Sequence, residues 1–294
     1  MRSEPEMITS LRNWAEDYDE VRAVLLTSSR VNPTARTDLF SDYDVVLVLS
    51  DVARLAETAE WLAAFGRVIS HFRDEFTQFD ERTYTRLALY EDGVKIDFSL
   101  WPLAMFLRLK QSPALPDYLD IGYRVLLDKD GLTAGLPVAT HRAHIPQPPS
   151  EAAYQALVQE FWWETTYVAR NLWRDDLYFA KYNLDYIIRF DLLQKLLEWY
   201  VEIRYGWSLR PGVRGKGLKR LLDAETWAEL ERTYAGAGIE ENWAALFATI
   251  RLFRRIAMSV AESLGFQYPD HTDADVTAYL EKIRRLPLEA TDFV

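Results

Sequence analysis

A chain of 294 residues with 49% apolar and 14% aromatic residues can bury one large core or two ordinary ones. Its 34 basic against 45 acidic residues leave a formal charge of −11, which disfavours a nucleic-acid surface, where phosphates call for a basic excess, and suits a cationic partner. The absence of cysteine excludes disulfides and thiolate metal sites, and no stretch approaches the ~20 apolar residues of a membrane span. No apolar signal region follows Met1, so a soluble cytoplasmic protein without membrane contact is expected.

In chain order, Met7, Leu11 and Trp14 give residues 4–17 helical spacing. Residues 21–26 read as a strand, 44–49 as a second, and the Ala-, Leu- and Glu-rich 52–65 as a helix. Short β-branched and apolar runs at 67–70, 84–90, 94–100 and 123–127 add strands. The proline-rich 144–150 should be an extended connector. Beyond it, 151–173, 176–205, 224–235, 240–264 and 274–285 show apolar spacing at three and four residues. The expectation is an α+β protein: a mixed-sheet domain over 1–145 and a helical bundle domain over 150–294.

Asp42 and Asp44 stand at the head of the run Val45-Val46-Leu47-Val48-Leu49, and strand alternation points both carboxylates the same way. Two carboxylates side by side repel unless a cation separates them, which reads as part of a Mg²⁺ site. Asp97, in Val94-Lys95-Ile96-Asp97-Phe98, offers a third carboxylate from another strand. Metal ions held by Asp42, Asp44 and Asp97 would bridge nucleotide phosphates, activate an attacking hydroxyl and stabilise departing pyrophosphate.

These residues resemble the minimal nucleotidyltransferases, whose signature is a small-residue-plus-Ser turn, here Ser28-Ser29, then D-x-D on a strand and a distant third acid. The chain is more specifically similar to the aminoglycoside 6-adenylyltransferase (streptomycin adenylyltransferase) family. The likeness lies in Met1-Arg2-Ser3-Glu4-Pro5-Glu6-Met7, Ser29-Arg30-Val31-Asn32-Pro33, Phe40-Ser41-Asp42-Tyr43-Asp44 and Lys95-Ile96-Asp97. It continues through Phe161-Trp162-Trp163-Glu164, Tyr167-Val168-Ala169-Arg170, Leu172-Trp173-Arg174-Asp175 and Ala180-Lys181-Tyr182. The resemblance implies transfer of AMP from ATP to the 6-hydroxyl of streptomycin, with Mg²⁺, release of pyrophosphate, and antibiotic resistance as the result.

One departure stands out: the usual turn is Gly-Ser, and Ser28 takes the glycine position, which permits φ > 0 and close approach to a phosphate. A serine there either tightens that approach or demands a different turn, and Ser29 remains for the phosphate. Arg30 is a candidate phosphate fork, with a surface ion pair as its rival. Lys181 is the cation that the resemblance implies for the triphosphate. Trp162, Trp163 and Trp173 are candidates to pack against aminocyclitol rings, though such a stripe is more often core. Glu164, Asp175 and Asp176 are candidate partners for the cationic substrate. Two further readings stand: another acceptor, aminoglycoside or protein hydroxyl, or a silent nucleotide-binding module on the same fold.

Overall fold

The structure is a computed structural model and describes residues 2–78, 80–209 and 212–293, so Met1 of the opening motif lies outside it. The chain divides into two units, Met1–His144 and Ile145–Val294.

The first unit opens with helix α1, Glu4–Glu16, whose start is fixed by a capping box: the Glu6 carboxylate accepts from the Ser3 amide at 2.7 Å. Strands β1 (Val21–Thr27), β2 (Tyr43–Leu49), β3 (Val68–Gln78), β4 (Glu81–Tyr90), β5 (Lys95–Pro102) and β6 (Tyr123–Asp128) form one mixed sheet in the order β3-β4-β5-β2-β1-β6. β2 runs parallel to β5, while β1–β2, β1–β6, β3–β4 and β4–β5 are antiparallel.

Period-two alternation sends the apolar residues of β1 and β2 to both faces of the sheet. Val24, Leu26, Val45 and Leu47 join Ile96 and Phe98 in a core closed by Met7 and Leu11 of α1 and by Trp61 and Phe65. Ala23, Leu25, Val46, Val48 and Trp101 pack on the other side against α3 (Leu103–Lys110) and α4 (Asp117–Asp120), through Met105, Phe106, Leu109 and Leu119.

The helix expected at 52–65 is broken. Thr58 adopts extended backbone, ending α2 (Ala53–Glu57), and a 3₁₀ turn over Glu60–Phe65 follows, with the Trp61 indole N–H donating to the Leu55 carbonyl at 3.0 Å. The strand expected at 67–70 is the first third of β3, whose eleven residues form an exposed edge; its charges hide it from an apolar pattern. Helices α3 and α4, eight and four residues long, go beyond the elements expected from the sequence.

The second unit is helical: α5 (Glu151–Trp173), α6 (Leu177–Lys181), a π-helical stretch (Tyr182–Leu193), α7 (Gln194–Tyr205), α8 (Leu218–Leu221), α9 (Ala224–Glu231), α10 (Ile239–Leu264) and α11 (Asp270–Arg285). The helix expected at 176–205 is thus α6, the π stretch and α7 in succession. Ser150 caps α5 by accepting from the Ala153 amide at 3.2 Å. Phe161 and Phe253 stack 3.5 Å apart at the centre of a core that includes Tyr154, Trp162, Ile188, Leu197 and Leu280. Each such ring or aliphatic chain contributes about 1.5–3 kcal/mol by leaving water. Among the described residues no helix is long and apolar enough to cross a membrane.

Candidate active site

Asp44 is the second residue of β2 and Asp97 the third of β5; in the parallel register they are direct neighbours, with Thr27 of β1 on Asp44's other side. Alternation places Asp44 on the face of Val46 and Val48, and Asp97 on the face of Trp101, which belong to one core. The carboxylates therefore continue a buried apolar row at the ends of two strands. Asp42 lies one strand period before Asp44, and Lys95 one before Asp97.

Lys95 Nζ lies 2.7 Å from Asp42 Oδ2 and 3.0 Å from Asp97 Oδ2, bridging the two carboxylates. Burial pulls the Lys95 ammonium down, but the hydrogen bonds and charges of Asp42 and Asp97 outweigh it and leave its pKa raised. Burial, then the charge of Asp97, pushes Asp44 up from 3.8 to about 6, against a hydrogen bond from the Ser28 hydroxyl that favours the ionised form. Asp97 is also raised, by burial first, with Lys95 opposing. Its Oδ1 is buried without a hydrogen-bond partner.

Among the described residues no three carboxylate or imidazole groups converge closely enough to hold a metal as they stand. The donor set nevertheless fits Mg²⁺: oxygen ligands only, two of them with pKa values raised chiefly by burial, one carrying an orphaned buried oxygen. A divalent cation would relieve each of these costs.

The turn before this pair is a 3₁₀ turn over Ser28–Arg30, and Ser28 takes φ 64°, the left-handed conformation that a glycine would adopt freely. Serine thus reproduces the glycine backbone at a cost of roughly 1–2 kcal/mol, and its hydroxyl reaches Asp44. Ser28→Val should lower stability by about 2 kcal/mol or more, because a β-branched side chain tolerates positive φ worst, whereas Ser28→Gly should stay within about 1 kcal/mol of the parent in urea titrations. Ser29 is half-buried beside it.

Arg30, read from the sequence as a phosphate fork or an ion pair, has its donors engaged within the protein. Its Nε donates to the Asp42 carbonyl at 3.0 Å, its Nη2 to the Ser41 carbonyl at 2.6 Å, and its Nη1 lies 3.3 Å from Glu4. The guanidinium also stacks 3.7 Å from the Tyr43 ring centroid. Its donors strap down the loop that carries Asp42, a role with no sequence signature because the acceptors are carbonyls. Lys95 was also missed; its two-residue spacing from Asp97 was the available signal.

On the helical unit, Lys181 is tied to Asp185 at 2.7 Å and to the Ala235 carbonyl at 2.9 Å. Trp162 is 1% exposed and part of the core, so it is no ligand wall. Trp173 is half-buried and donates to the Leu286 carbonyl at 3.1 Å. Trp163 is 63% exposed and turns outward with Glu164, whose carboxyl is raised by burial and which accepts from the Asn183 amide. Asp176 caps α6, and Asp175, at φ 60°, makes the turn before it. Sequence reasoning missed two aromatic groups: ring centroids of Trp163 and Tyr167 lie 6.0 Å apart and those of Tyr167 and half-exposed Phe179 6.5 Å apart, and separately Tyr182 stacks on Tyr186 at 5.5 Å. The i, i+4 spacing of Trp163 with Tyr167 and of Tyr182 with Tyr186 was readable in the sequence.

Comparison with known proteins identifies the family. The family model described as streptomycin adenylyltransferase matches residues 1–283. An aminoglycoside 6-adenylyltransferase of Bacillus subtilis (strain 168) is 32% identical over 290 residues, covering 96% of this chain and 98% of that protein. One from Campylobacter jejuni is 30% identical over 274 residues, 92% of each. A crystal structure of an aminoglycoside 6-adenyltransferase from Bacillus subtilis aligns with a TM-score of 0.48 at 27% identity, covering 97% of this chain and 100% of that one. With a family model spanning nearly its whole length, the chain belongs to the streptomycin adenylyltransferase family of nucleotidyltransferase enzymes.

Proposed function

We propose that the protein transfers AMP from ATP to the 6-hydroxyl of streptomycin and so confers resistance to it, acting in the cytoplasm. The observation that carries this reading is the pairing of Asp44 with Asp97 across two parallel strands, with Asp42 drawn in through Lys95. In it, residues 1–145 form the catalytic domain and 150–294 a substrate- and nucleotide-binding domain.

Asp42, Asp44 and Asp97 would hold the metal. Mg²⁺, when bound, supplies Lewis acidity to the phosphates and to the acceptor oxygen. Asp97, its carboxyl raised by burial and one oxygen without a partner, is also the group to take the proton from the acceptor hydroxyl as that oxygen attacks the α-phosphorus. Pyrophosphate leaves. The turn at Ser28 and Ser29 presents backbone and hydroxyl groups to the phosphates. Trp163, with Tyr167, Phe179, Tyr182 and Tyr186, offers aromatic faces to the sugar rings, and Glu164 offers a carboxylate to a cationic group.

Pyrophosphate release from ATP and Mg²⁺, followed over a panel of aminoglycosides, tests the acceptor. Release that depends on streptomycin supports the reading; release only with another aminoglycoside reassigns the substrate, and none with any points to another acceptor or a silent module. Trp163→Ala should raise the KM for streptomycin about tenfold and leave that for ATP unchanged. A rise in both would place Trp163 elsewhere in the mechanism.

A further inference from the structure

The carboxylates at the ends of β2 and β5 are not left to repel one another. Lys95 emerges from β5 on the same face as Asp97, and its ammonium lies within 3.0 Å of both Asp42 and Asp97. Asp42 precedes β2, so this one side chain ties a loop residue to a strand residue. The ammonium stands between two of the three groups that the proposed function assigns to the metal, where the positive charge of a divalent cation would also fall.

We propose that Lys95 is a resident counter-cation and a positioning residue: its ammonium holds Asp42 and Asp97 in place before metal arrives and is exchanged for Mg²⁺ when it binds. This rests on the metal-binding role of Asp42, Asp44 and Asp97. Two consequences separate it from an ordinary ion pair. Metal must expel a cation, so removing Lys95 tightens metal binding while it loosens the metal-free site. The expelled ammonium becomes freer, so metal binding exposes Lys95.

Lys95 is 37% exposed, within reach of an amine-acylating reagent. Labelling of the wild-type protein, read by peptide mass spectrometry with and without saturating Mg²⁺, should show Lys95 acylated several-fold faster with the metal, while other lysines are unchanged. In parallel, Lys95→Met should bind Mg²⁺ roughly two- to fivefold more tightly by calorimetry, the range of a half-exposed ion pair, and should melt lower than wild type in chelator. Lys95→Arg, which keeps the charge, should restore the melting temperature. Unchanged or slower acylation of Lys95 in a protein that does bind Mg²⁺ would overturn the exchange, whether or not the Met variant folds. Mg²⁺ binding that weakens in a folded Lys95→Met protein would do the same. If wild type binds no Mg²⁺ and Asp42→Asn changes nothing, the metal site itself fails, and the exchange with it.

Discussion

Asp44→Asn should abolish AMP transfer, lowering kcat by about 10³-fold or more, and at the same time make the metal-free protein more stable. The second effect follows from the site's electrostatics. Burial and Asp97 raise Asp44 from 3.8 to about 6, so at pH 7.5 the folded chain carries an ionised carboxylate that it disfavours. A shift of that size corresponds to roughly 2–3 kcal/mol. Asparagine removes the charge and can still bond to Ser28. In chelator at pH 7.5 the variant should melt about 5 °C or more above wild type. Because the folded pKa lies above the unfolded one, wild type regains this stability as pH falls from about 6 towards 4, and the gap between the two proteins should close over that interval. Saturating Mg²⁺ at pH 7.5 should close it too, by stabilising wild type alone. A variant less stable than wild type in chelator would make Asp44 a structural carboxylate and remove the tension that the proposed mechanism exploits.

Arg30→Ala should lower kcat about a hundredfold with little change in the KM for ATP, and cost about 2–3 kcal/mol of stability. Its guanidinium holds the carbonyls of Ser41 and Asp42, and the Tyr43 ring packs beneath it. Alanine leaves two carbonyls without donors and frees the backbone that aims Asp42. Arg30→Lys should recover less than half of the loss, since an ammonium cannot fork to two carbonyls and stack on a ring as well. Steady-state kinetics with a denaturant titration of each variant checks this. A selective rise in KM for ATP at unchanged stability would instead return Arg30 to the phosphate.

The sequence carried the three aspartates because each obeys a local rule: two at one strand period before an apolar run, the third inside another. It also carried the helical second half, where spacing persists over many turns. What it hid has physical causes. β3 is exposed on both faces, so nothing forces its pattern to alternate, and only its first residues looked like a strand. The partners of Arg30 are carbonyls, which every residue owns. Trp162 and Trp163 are adjacent, and a helix cannot present both to one side; Phe161, Thr165, Val168 and Leu172 mark the buried stripe and leave Trp163 outside it. Ser28 hid its backbone, since positive φ in a serine is a cost that only the folded turn reveals.

The parallel pairing of β2 with β5 has a consequence for how the site comes into being. Hairpins such as β3–β4 close between near neighbours and need little chain entropy, whereas β5 reaches β2 only after that hairpin and the helix before it have been looped out. Until it does, Asp44 and Asp97 are ordinary solvated acids with no reason to repel. The charge conflict between them is therefore a property of the finished topology alone. A cation that settled it, as the proposed function requires, would reward only chains whose sheet is complete, so metal in the surroundings would select for correctly threaded molecules as well as enabling them to react.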